Sequence, residues 1–356
     1  MLYSPRPMKA GKLPQDLLAR LLARLPADPR VLLGPGVGRD AAAIDLGDGR
    51  VLVAKADPVT FATEQIGRYV VHVNANDIAC LGARPAWFMA TVLLPESASP
   101  ELAEEIFEQI RTTCDELGVV PVGGHTEITL GLQRPVVAGA MLGETTGESL
   151  IRPDAAHAGD HLVLTKGIAI EGTALLARDA PQALRARGVP DEMIDASARL
   201  LIEPGISVVR EALAACRAVR VHALHDPTEG GLATALLELA QASGRHVRLR
   251  QDDVPILPET AAVCAALGLD PLGLLASGAL LIAVAPGECE VVRDAVVAEG
   301  SAATCIGDLA SAGEDAIIDS WGQKPLPRFE RDELARFLQA LGEGQGEALP
   351  PSPRAG

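Results

Sequence analysis

Aromatic side chains are scarce in this 356-residue chain: two tryptophans, two tyrosines and five phenylalanines, 3% in all. So few rings offer little on which a row of bases could stack. Positive charge is short too, with 31 Lys and Arg against 47 Asp and Glu and a formal net charge of −16. A broad basic surface is thereby excluded, and no nucleic-acid partner is expected. Cysteines never pair locally: Cys80, Cys114, Cys216, Cys264, Cys289 and Cys305 lie far apart and form no CxxC. That spacing argues against a thiolate zinc site and for a reduced, cytoplasmic setting. Long apolar runs are also missing, since the longest, Leu272 to Ala285, is broken by Gly273, Ser277 and Gly278. It is too short to span a bilayer. The N-terminus has prolines where a signal peptide needs an apolar run, so no membrane association is expected.

What is present suits a globular protein of two domains: 48% hydrophobic and 22% charged residues. The most informative stretch begins with Val51-Leu52-Val53-Ala54, a short strand that Pro58 is expected to end just after Asp57. From Glu64 to Leu81, Ile66, Val70, Val73, Ile78 and Leu81 recur at helical spacing and Gly82 supplies the stop. This helix also carries His72, Asn74, Asn76 and Asp77, with Asn74 and Asp77 on one face. Acids beside a buried face need partners. Asp57 and Asp77 could share a divalent cation, and Mg²⁺ suits hard oxygen ligands that form an incomplete cage. Alternatively, Asp77 caps a neighbouring element.

Two glycine-rich stretches flank that unit. Gly34, Gly36 and Gly38 precede Asp40, in a loop whose N–H groups could approach an anion or merely form a hairpin turn. A strand from Val119 to Val122 is expected to run into Gly123-Gly124-His125-Thr126-Glu127. Between them lies a helix from Pro100 to Gly118, and a strand from Pro135 to Leu142 follows. Residues 147–158 read as a linker. The strand His161 to Thr165 then leads to Lys166-Gly167 and a helix from about Ile170. Further on, His225-Asp226-Pro227-Thr228-Glu229-Gly230-Gly231 is either ordinary helix capping or a loop presenting Asp226 and Glu229 to a ligand. The division expected is a helix and arm at 1–33, domains at 34–146 and 159–341, and a disordered tail at 342–356.

Six segments, GVGRDAAAID (36–45), AKADPVTF (54–61), VNANDIACLGARPAWF (73–88), VGGHTEIT (122–129), GDHLVLTKGIAIEGTALLA (159–177) and HDPTEGGL (225–232), occur in one order. In these the chain resembles the PurM-like, AIR synthase-related superfamily, and in DPVTF, NDIACLGARP, LTKGIAIEGTA and DPTEGG its HypE-like hydrogenase maturation members. The resemblance implies a two-domain α/β (α+β) fold. The N-terminal ATP-binding domain would pair in a homodimer and the C-terminal domain would be an α+β sandwich. It implies Mg²⁺ held by Asp40, Asp57 and Asp77, with ATP bordered by Gly36, Gly38, Gly123, Gly124 and Thr126 and contacted by Lys55, Asn76 and Lys166. Asp226, Glu229 and His125 become the catalytic candidates, with Glu171 behind them. The reaction implied is phosphoryl transfer from ATP to an amide-type oxygen of an acceptor, a small molecule or a protein terminus.

Two departures qualify this. His125 stands where many relatives carry an acid. HypE is expected to end in a cysteine, whereas here the last cysteine is Cys305 and the chain ends Ala355-Gly356. Self-modifying cyanide chemistry on this chain is therefore not expected. The absence of a cysteine ahead of the glycine loop argues likewise against selenophosphate synthesis. The alternatives are a nucleotide-binding maturation or scaffold protein with reduced turnover, and a thiamine-phosphate-kinase-like enzyme.

Overall fold

A computed structural model describes residues 13–36, 39–60, 64–311, 317–318 and 324–342. Gly38 and the tail beyond residue 342 lie outside the described residues. The chain folds around two sheets. The first has six strands: β1 (Val31–Leu33), β2 (Ala42–Gly47), β3 (Arg50–Val59), β4 (Arg84–Pro95), β5 (Val120–Thr129) and β6 (Val136–Thr146), in the order β1-β2-β3-β6-β4-β5. Helix α1 (Gln15–Leu22) precedes them, and α2 (Ile66–Cys80) and α3 (Pro100–Leu117) lie between them.

Alternation along β3 sets the geometry of everything that follows. Val51 and Val53 are buried, so Lys55 and Asp57, at the same parity, face the same way. That face is covered by α2, which packs on β3 and β6 with α3 behind it. The expected end of β3 at Pro58 is not observed: the strand reaches Val59, paired with Val137 of β6. β2 stops opposite Ala54, so Pro58 sits where β3 is paired on one side only and a missing donor is tolerated. On the sheet's other face Leu52, Ala54, Ala138, Ala140 and Leu142 are only partly buried.

The second sheet has seven strands in the order β13-β12-β9-β11-β7-β10-β8. They are β7 (His161–Thr165), β8 (Ala223–His225), β9 (His246–Leu249), β10 (Leu281–Val284), β11 (Ala303–Ala310), β12 (Ile317–Ile318) and β13 (Lys324–Pro325). Helices α4 (Ile170–Asp179), α5 (Pro181–Ala186), α6 (Asp191–Arg199), α7 (Val209–Ala218), α8 (Gly231–Ser243), α9 (Pro258–Leu267), α10 (Cys289–Ala298) and α11 (Glu333–Gly342) surround it. Val163, Ile282 and Val284 face α7 and α10, while Leu162, Leu164, Leu281 and Ala283 pack with Leu232 and Leu236 of α8. Helices therefore sandwich the sheet. The first of these clusters is continuous with the core under α2, so the two sheets share packing through α2 and α7.

Candidate functional site

Four carboxylates reach one place from four elements. Asp57 comes from β3, Asp77 from α2, Asp40 from the approach to β2, and Asp226 from the loop after β8. Lys55 lies among them, its Nζ 2.7 Å from Asp77 Oδ2 and 3.4 Å from Asp57 Oδ2. Asp40 Oδ2 is 2.9 Å from His225 Nδ1, whose Nε2 is 3.1 Å from Glu238 Oε2. The Cys80 thiol donates to Asp226 Oδ1 at 3.4 Å. One ligand atom each of Asp40, His225 and Asp226 lie within 4.8 Å of one another.

Local structure explains the convergence. Asn74 of α2 clamps the backbone of Asp57, its Oδ1 accepting from Asp57 N–H at 2.9 Å and its Nδ2 donating to Asp57 C=O at 3.1 Å. Asp77, three residues on, is then delivered beside Lys55 by helical spacing. Asn76 points the other way. Its Nδ2 donates to Ile206 C=O and its Oδ1 accepts from Val208 N–H, both at 2.9 Å. Helix α2 is thus tied to both halves of the chain.

The electrostatics are those of crowded acids. Burial, and then Asp226 and Asp40, raise Asp77 well above the usual carboxylate range, against the pull of Lys55. Burial and Asp40 push Asp226 up to about 7, with His225 opposing. Burial works against charge on His225 and on Lys55, yet Asp40 and Glu238 raise the first and Asp77 and Asp57 the second. Five carboxylates, Glu238 included, thus crowd around one ammonium and one imidazolium, an arrangement that favours the protonated forms of Asp77 and Asp226 until a cation enters. Its donors are hard oxygens, and Asp57 is half exposed, which fits a divalent cation such as Mg²⁺ that enters from solvent.

Comparison with known proteins agrees with this architecture. Family models of the AIR synthase related protein match in both parts, the N-terminal domain at residues 38–145 and the C-terminal domain at residues 157–320. The chain belongs to the AIR synthase related family. Carbamoyl dehydratase HypE of Azotobacter vinelandii is 31% identical over 343 residues, covering 90% of this chain and 93% of that one. The crystal structure of E. coli HypE has a TM-score of 0.70 at 22% identity, covering 90% of this chain and 99% of that one. The structure of the hydrogenase maturation protein HypE in complex with ATP, at TM-score 0.64 and 23% identity, covers 88% of this chain and 95% of that one.

Not every residue singled out from the sequence of this AIR synthase related chain reaches the cluster. Gly123, Gly124, His125 and Thr126 lie in β5, an exposed strand at the edge of the first sheet, and not in a loop at a strand's end. The register with β4 shifts at Val122, but from Gly123 to Thr129 β5 pairs with β4 residue for residue, so the glycines do not end the strand; at Gly124 a Cβ would stand 2.0 Å from Ala90 O. The register His125–Thr91–Ala138–Pro58 puts His125 in the same row as Pro58, but three strands away, roughly 14 Å. His125 is exposed, 3.1 Å from Glu127 Oε2. Gly36 lies against the Arg39 side chain.

Lys166 is buried and committed elsewhere. Its Nζ donates to the Ser207 and Gly205 carbonyls and lies 3.0 Å from Glu211 Oε1. Asn76 is likewise fully buried and bonded to the backbone of residues 206 and 208. Glu229 lies on the same loop as Asp226, within electrostatic reach of Asp332. Glu171 is buried and pushed up to about 7 by burial, with a hydrogen bond from Ser277 opposing. His72, buried with an unpartnered Nδ1, is lowered to about 3 by burial and then by Arg68.

Sequence reasoning missed Cys80, His225 and Glu238 as members of the cluster. It also missed Asp332, whose Oδ2 accepts from Gly230 N–H at 2.7 Å and so holds the loop that carries Asp226. His225 and Cys80 left a trace, as members of the quoted segments HDPTEGGL and NDIACLGARP.

Proposed function

We propose that the chain binds Mg²⁺-ATP over Asp40, Asp57, Asp77 and Asp226 and transfers a phosphoryl group to an amide-type oxygen of an acceptor, either a small molecule or a protein terminus. The observation that carries this reading is the excess of carboxylates gathered around Lys55. Such a cluster is costly to hold without a cation. The 31% identity to a carbamoyl dehydratase and the ATP-bound HypE fold favour the same conclusion.

Asp57, Asp77 and Asp40 are the residues to hold the metal, which would neutralise charge on the phosphates. Lys55, now shared between Asp77 and Asp57, is the nearest cation to turn toward an incoming phosphate. Asp226, with its pKa lifted toward neutrality, is suited to take the acceptor's proton. His225, braced by Asp40 and Glu238, orients that corner, and Asp332 fixes the loop.

The edge strand supports a homodimer. Val120, Val122, Ile128 and Leu130 are exposed on or beside β5, and the open face of the first sheet is apolar. A second copy covering these surfaces would bring Gly123, Gly124, His125 and Thr126 toward a site they cannot reach within one chain.

The test is calorimetric titration with Mg²⁺ and a non-hydrolysable ATP analogue, paired with release of ADP or AMP from ATP across an acceptor panel. Asp57→Asn, at a half-exposed position, should abolish both while leaving the circular dichroism unchanged. Undiminished nucleotide binding by that variant would refute the assignment. Binding without turnover on any acceptor would favour the scaffold reading.

A further inference from the structure

Three soft ligands converge in the second domain, well away in sequence from the acid cluster. His161 opens β7, Cys305 lies in β11 opposite Val163, and Cys289 is the first residue of α10. Because His161 and Val163 share a face of β7, the register sets His161 and Cys305 diagonally on the side that α10 covers. One imidazole nitrogen and the two sulfurs all lie within 4.8 Å of one another. Only the imidazole is uncommitted: His161 makes no side-chain hydrogen bond to another described residue, whereas the Cys289 and Cys305 thiols pair with each other, Arg250 reaches Cys305, and Cys305 Sγ lies 3.9 Å from Gly307 C=O. By contrast, in the neighbouring cluster of His157, Asp160 and His222 the polar atoms bond one another at 2.8 and 3.2 Å.

We propose that His161, Cys289 and Cys305 bind one zinc ion. Two thiolates and a neutral imidazole are a set that zinc prefers, and a tetrahedral ion with such ligands spaces them about 3.3–3.8 Å apart. The thiols release two protons as the ion enters, so the site becomes electrically neutral, and water completes the fourth position. His161 and Cys305 are half-buried, which leaves a path from solvent. No CxxC marks the site because its ligands come from three elements, so the expectation from cysteine spacing does not apply to it. The ion would pin the start of α10 to β7 and β11.

The full chain, reduced and freed of metal with a chelator, is titrated with Co²⁺ alone. The expected result is one equivalent bound with a thiolate-to-cobalt charge-transfer band in the near ultraviolet, displaced by Zn²⁺. Cys289→Ala and Cys305→Ala should lose the band, and His161→Ala should weaken it. A band that survives Cys305→Ala would place the cobalt elsewhere, and no band at all would exclude thiolate ligation. Either result overturns the proposal. Should the variants fold poorly, thiol titration of the unaltered chain decides the matter. Zn²⁺ must shield two cysteines from a thiol reagent, and shielding none refutes the site.

Discussion

Replacing Lys55 by methionine keeps the aliphatic stem and deletes the ammonium from the middle of the carboxylate cluster. Lys55 Nζ is 2.7 Å from Asp77 Oδ2 and 3.4 Å from Asp57 Oδ2, with side chains 17%, 8% and 45% exposed respectively. The Asp57 contact is solvated and contributes under about 1 kcal/mol. The Asp77 contact is buried, and breaking such a pair costs about 3–5 kcal/mol. Asp77 has an escape, because burial and the neighbouring acids already favour its protonated form. Protonation limits the loss, so Lys55→Met should destabilise the metal-free chain by about 2–4 kcal/mol at pH 7. Urea unfolding with a chelator, followed by circular dichroism, measures it; transition midpoints are compared, since two domains need not unfold together. Added Mg²⁺ should then raise the variant's midpoint more than that of the unaltered chain, because the ion replaces the missing positive charge. Equal stability in chelator, or equal stabilisation of both proteins by Mg²⁺, would refute the idea that Lys55 stands in for a cation.

Two further outcomes follow from the same electrostatics. Asp226 is pushed up to about 7 in the folded chain against 3.8 unfolded, and Asp77 is raised as well, so the native state binds more protons between those limits. Their contribution to stability is present in full below about pH 4 and is lost as pH rises toward 7. Metal-free unfolding midpoints should fall over that window, and Mg²⁺ should flatten the fall; a midpoint that climbs steadily to pH 7 would contradict the assignment. Lys166→Met should cost about 3–5 kcal/mol, because Glu211 is left buried without its cation. Calorimetry should show nucleotide affinity unchanged, and a large loss of affinity would restore Lys166 as a phosphate contact.

The regular elements were legible where periodicity and punctuation agreed. Helix α2 was readable because Ile66, Val70 and Ile78 recur on one face and Gly82 closes it. β5 was misread because two glycines look like a loop, whereas in an edge strand they are tolerated along the unpaired side and one permits close approach to β4. Helix α11 was missed, and Asp332 just before it, because no motif falls there. Asp57 and Asp77 could be picked out as acids beside a buried helix face. Their companions could not: Cys80 meets Asp226 across 146 residues and Asp40 meets His225 across 185, separations to which no local pattern refers.

Helix α2 is what turns these distant residues into one site. Asn74 fixes β3, Asp77 meets Lys55, Cys80 meets Asp226, and Asn76 holds residues 206 and 208. Asn76 touches none of the four acids, yet it sets how the segment leading to α7 docks on the helix that carries Asp77. Asn76→Ala strands one carbonyl and one N–H in a fully buried place, costing about 2–4 kcal/mol. If that clamp also positions Asp226 against Asp57 and Asp77, the affinity for Mg²⁺ and nucleotide should fall several-fold at a temperature where the variant is still folded. Lys166→Met, equally buried and similarly destabilising, serves as the control for a loss of stability alone. A variant at Asn76 that unfolds more easily but titrates nucleotide like the unaltered chain would show that the acid cluster is held together by its own ion pairs, and that α2 merely passes beside it.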